Sequence, residues 1–159
     1  GWQVRPSFQR RAVNHTGGID GFSSHMLLYP DDRLSIVVLS NVESEPVKAT
    51  ACDLASIVFG VEYPRLGLSS PREIDTGYVS ASYRSEDGTV REFLFDDGAL
   101  VYRRGGQDLE LSPIDGRGAW RLAAAPEIVF VFHGEGPVAD RVRAMRCGEE
   151  LFRASKAGR

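Results

Sequence analysis

Hydrophobic positions along this chain follow two rhythms, and the change falls near residue 64. Before it, Phe8 to His15, Ser24 to Tyr29 and Leu34 to Leu39 are β-prone runs. The last two flank Pro30-Asp31-Asp32-Arg33, whose turn chemistry predicts a hairpin. Ile36-Val37-Val38-Leu39 is continuously apolar. That predicts a strand covered on both faces, in the middle of a sheet packed by helices. Val47, Ala51, Leu54, Ala55, Val58 and Phe59 then recur at helical spacing. Ser44 is placed to cap this helix, Pro46 suits its first turn, and Gly60 is a natural stop.

After a stretch dense in Pro, Gly and Ser, short β-prone runs recur about every ten residues. They are Tyr78–Tyr83, Val90–Phe95, Ala99–Arg103, Leu109–Pro113, Ala119–Leu122, Ile128–Phe132, Arg141–Met145 and Glu150–Ala154. Glu86-Asp87-Gly88, Asp97-Gly98, Gly105-Gly106, Asp115-Gly116 and Cys147-Gly148 separate them, and Asp-Gly between such runs signals a hairpin. The pattern therefore predicts an α+β segment over 1–63, a partial antiparallel sheet with one packing helix. A linker over 64–72 follows, then an all-β up-and-down antiparallel barrel of about eight strands over 73–159. Closing that sheet would remove its exposed edges.

Composition leaves this picture intact and removes some functions. The net charge of -3 and scattered basic residues argue against nucleic-acid binding. No run approaches the roughly 20 apolar residues of a membrane span. Cys52 and Cys147 lack metal-ligand spacing, so a buried or free thiol is the default and a disulfide is possible. His15, His25 and His133 are too scattered for a metal set, and no metal or other cofactor is expected. The chain opens without Met inside an apparent strand, Gly1-Trp2-Gln3-Val4, which suggests a fragment of a longer protein.

The stretch that suggests chemistry is Asn14-His15-Thr16-Gly17-Gly18-Ile19-Asp20-Gly21-Phe22-Ser23-Ser24. His and Thr offer hydrogen bonds, and glycine lets another molecule approach the backbone. A free N–H on such a strand could face a developing oxyanion. Gly1-Trp2, this stretch, Pro30 and Val37-Val38-Leu39-Ser40-Asn41 together resemble the serine β-lactamase family. The branch most similar holds class C β-lactamases, penicillin-binding DD-peptidases and related esterases. There a Lys-Thr-Gly or His-Thr-Gly triplet edges the active site, and His15-Thr16-Gly17 matches it.

The resemblance implies that His15, Thr16 and Gly17 bind the substrate, His15 and Thr16 meeting its carboxylate and ordering protons. It also implies that the Gly18 N–H is an oxyanion donor. The partner would be a small-molecule substrate: a β-lactam, a D-amino-acid peptide or an ester. From about Ile74 the chain resembles, more loosely, the lipocalin-like β-barrel appended to many such proteins. The family also needs Ser-x-x-Lys, whose serine is the nucleophile, and a Tyr-x-Asn or Ser-x-Asn. This sequence contains none of them, so the chain alone is expected to be inactive. The resemblance suggests a periplasmic or secreted parent.

Plainer readings stand beside these. Gly21-Phe22-Ser23-Ser24-His25 lacks the last glycine and the strand-to-helix context of a nucleophile elbow. His25 and His133 read as strand-face residues, and Asp31-Asp32 and Asp96-Asp97 as solvated turn carboxylates. The barrel aromatics read as core. Two rival functions remain: a barrel that binds a small apolar ligand or a protein, and a purely structural barrel. Strands lacking neighbours predict a dimer, a strand-swapped oligomer or a first segment that is partly disordered.

Overall fold

The computed structural model describes residues 1–43, 46–64, 76–97, 99–114 and 118–158. Two compact units result, Gly1–Leu66 with Arg146–Glu149, and Gly67–Met145 with Glu150–Arg159.

The first unit holds an antiparallel sheet of β1 (Gln3–Ser7), β2 (Arg10–Ile19), β3 (Phe22–Tyr29) and β4 (Leu34–Ser40), paired in sequence order. Alternation along these strands sends Ala12, Leu27, Tyr29 and Ile36 to one face, where they are buried. The helix α1 (Val47–Val58) packs against β3 and β4 and buries Val47, Ala51, Cys52 and Ala55. Gly60 ends it, at φ 64. The Gly60 N–H donates to Ile57 O and the Val61 N–H to Ser56 O, a Schellman closure that needs the left-handed residue glycine supplies. The expected Ser44 cap lies outside the described residues, and Pro46 occupies the N-cap position without a side-chain bond.

Three expectations for this unit need correction. The strand expected from Phe8 begins at Arg10, because Phe8 and Gln9 form a two-residue turn with φ 51 and 60. Phe8 is buried there, edge-on to Tyr63, and its N–H donates to Cys147 O. Second, β4 ends the sheet instead of lying in its middle, and Val37 and Leu39 are 52% and 77% exposed. Its apolar run is covered on the α1 face alone among the described residues. Third, the cysteines are not thiols: Cys52 on α1 is bonded to Cys147 in the Arg146–Glu149 turn.

The second unit begins with one helical turn, α2 (Thr76–Val79), where a strand was expected. Then come β5 (Ala81–Ser85), β6 (Val90–Asp96), β7 (Ala99–Arg104), β8 (Gln107–Pro113), β9 (Ala119–Leu122), β10 (Ala125–His133), β11 (Arg141–Arg146) and β12 (Glu149–Lys156). Each pairs with the next, and β12 pairs with β5, closing an eight-stranded barrel as the turn spacing predicted. Of the expected turns, Gly98, Asp115 and Gly116 lie outside the described residues, as does most of the expected linker. The aromatics form a core: the Phe93 ring meets Tyr83, Tyr102, Phe130 and Phe132 at centroid distances of 5.0–5.7 Å. Among the described residues no helix is long and apolar enough to cross a membrane, and no three metal-binding side chains gather.

Candidate active site

The triplet lies in β2 near its hairpin with β3. Residues Ile19 and Phe22 are opposite each other, leaving Asp20-Gly21 as a two-residue turn, with Gly21 at φ 79. The residues flanking such a turn exchange backbone hydrogen bonds, and pairs alternate along an antiparallel ladder. Gly18↔Ser23 and Thr16↔His25 are therefore non-hydrogen-bonded pairs. The N–H groups of Gly18 and Thr16 point away from β3. On that side β1 pairs with β2 only as far as Asn14. From His15 to Ile19 the edge has no strand partner among the described residues, and His15, Thr16 and Gly18 are exposed.

Alternation parts the two candidate side chains. His15 shares a face with Met26 and Val37, the face opposite α1, and Trp2 meets its ring edge-on at 6.0 Å. A cavity of about 370 Å³ opens there, lined by Trp2, His15, Gly17, Met26, Val37 and Leu39 among others. Thr16 faces the other way. Its Oγ1 lies 2.9 Å from Nδ1 of His25, directly across the ladder. Gly17 is opposite Ser24, whose Oγ donates to Gly17 O. A Cβ on Gly17 would come within 2.7 Å of that Oγ, so the position favours glycine through crowding. Gly18 has no such neighbour; the nearest atom to a Cβ there is Phe22 O at 3.9 Å.

The backbone edge thus brings His15, Thr16 and Gly18 into one line, while the side chains of His15 and Thr16 diverge. His25 is the residue that sequence reasoning passed over. Its signal was present: with Asp20-Gly21 as the turn, positions 16 and 25 are equidistant from it and must be opposite. Asp31 and Asp32 are not an acid/base pair, since Asp31 pairs with Arg11 and Asp32 with Arg10. The Arg11 guanidinium holds the Asp31 carboxyl below its usual range.

Penicillin-binding protein 4* of Bacillus subtilis (strain 168) is 31% identical over 140 residues, covering 82% of this chain. The chain is related to the penicillin-binding proteins. The match is too long to fit within either unit alone, so the relationship includes both the sheet and the barrel. The chain spans 31% of the length of that relative. No family model matches the sequence. Among solved structures, the octameric penicillin-binding protein homologue from Pyrococcus abyssi aligns with 98% of this chain and 36% of its own, at 18% identity and a TM-score of 0.40. SurE with D-Leu aligns with 98% and 38%, at 21% identity and a TM-score of 0.41.

Proposed function

We propose that this chain is the C-terminal portion of a β-lactamase-related serine hydrolase that works through an acyl-enzyme. Its substrate would be a β-lactam, a D-amino-acid peptide or an ester. The reading rests on one observation above all: among the described residues the edge of β2 from His15 to Ile19 has no strand partner, and the Thr16 and Gly18 amides turn outward along it. In this reading the Gly18 N–H donates to the oxyanion of the tetrahedral intermediate. In the same reading His15, from the cavity face, and Thr16, from the opposite face, supply hydrogen bonds to a substrate carboxylate that lies along the strand edge between them, and Gly17 keeps the backbone approachable. The nucleophilic serine and its lysine come from residues outside this sequence, and the barrel is an accessory domain of lipocalin-like form. The Cys52–Cys147 bond suits an oxidising compartment, the periplasm or the cell exterior.

A fluorescent penicillin tests the proposal. The 159-residue chain should take no covalent label. A protein carrying Ser-x-x-Lys and Tyr-x-Asn ahead of Gly1 should be labelled, and a Gly18→Pro change, which removes the N–H, should cut the labelling rate by about a hundredfold. Unchanged labelling in that variant would remove Gly18 from the reaction.

A further inference from the structure

We propose that His25 is a positioning residue for Thr16, holding the Thr16 hydroxyl with its proton turned outward toward a substrate carboxylate. The inference rests on the function proposed above and adds a residue to that site. His25 is 5% exposed, on β3, while Thr16 is exposed at the bare edge of β2. They form a non-hydrogen-bonded pair, the kind in which facing side chains come closest, and Thr16 Oγ1 lies 2.9 Å from His25 Nδ1.

A threonine hydroxyl has one proton and a free rotor, so its partner decides what it offers a ligand. If Nδ1 were bare, the hydroxyl would donate inward and present lone pairs outward. Those would repel a carboxylate. If Nδ1 carries the proton, it donates to Oγ1, and the hydroxyl proton is free to meet the carboxylate. A site that binds an anion through Thr16 therefore needs the Nδ1–H form of His25. Burial suits the task, since a ring held inside the sheet turns little and loses little entropy when the ligand arrives.

Two measurements on the intact chain test this. Nitrogen-15 NMR of the imidazole should find the proton on Nδ1, and a bare Nδ1 would overturn the proposal. Titration with N-acetyl-D-alanine, and separately with its amide, should give a preference for the acid that Thr16→Val abolishes. His25→Phe should reduce that preference about tenfold, the worth of one hydrogen bond in a charged site, and leave affinity for the amide unchanged. His25→Asn, whose side-chain amide can donate from near the Nδ1 position, should restore it. The amide titration and the NMR of the unaltered protein guard against a variant that merely folds poorly. If the unaltered chain does not prefer the acid, the carboxylate site itself fails, and this role with it. If it prefers the acid and His25→Phe keeps that preference, the site stands and the role of His25 is refuted.

Discussion

The imidazole of His133, on β10, lies 3.4 Å from the Arg143 guanidinium on β11. Burial lowers its pKa, and Arg143 and Arg141 push the same way. The folded chain therefore keeps His133 neutral where the unfolded chain would protonate it. Stability is full above the ordinary imidazole range and declines as pH falls from there toward the lowered folded pKa. Thermal unfolding of the barrel followed by circular dichroism should show this decline, and His133→Gln should flatten it. At Gly17 the concern is space. Gly17→Ala forces the Ser24 hydroxyl aside and breaks its bond to Gly17 O, at an expected cost of about 1 kcal/mol in urea unfolding. At this scale the sequence was only half legible. The triplet was visible as residue types, but the partner of Thr16 depends on hairpin register, which exists only once the turn is fixed.

Elements were legible where turn chemistry agreed with hydrophobic pattern. Gly105-Gly106 and Cys147-Gly148 mark turns between barrel strands as expected. The Phe8-Gln9 turn was invisible because neither residue favours positive φ. There the buried ring and the bond from Phe8 N–H to Cys147 O outweigh local preference. At α2 the burial of Val79 in the barrel core likewise overrides a β-prone run. The Cys52–Cys147 bond, separated by 95 residues, could not be told from two thiols by spacing. Exchanging both cysteines for serine should cost about 2–5 kcal/mol. Hydrogen exchange should then quicken along α1, and equal protection with and without the bond would show that packing alone holds the helix.

For the molecule as a whole, the two rhythms of the sequence correspond to a sheet with one helix and a barrel, each with its own core. Pattern could not reveal which face of the sheet lies open, because an apolar strand reads alike whether covered once or twice. Trp2, Val37 and Leu39 are exposed, and β4 ends the sheet. Such a surface and edge favour self-association. Sedimentation should find concentration-dependent dimers or larger species, and Val37→Lys with Leu39→Glu should return the chain to monomers. The barrel carries a different consequence. Since β12 pairs with β5, and Ala157 N–H donates to Ser82 O, the seam of the ring joins its earliest and latest strands. A cylinder sewn in this way has no intrinsic starting point, so a circularly permuted gene that fuses the two sides of the seam and opens the chain at Gly105-Gly106 should still yield the same cylinder.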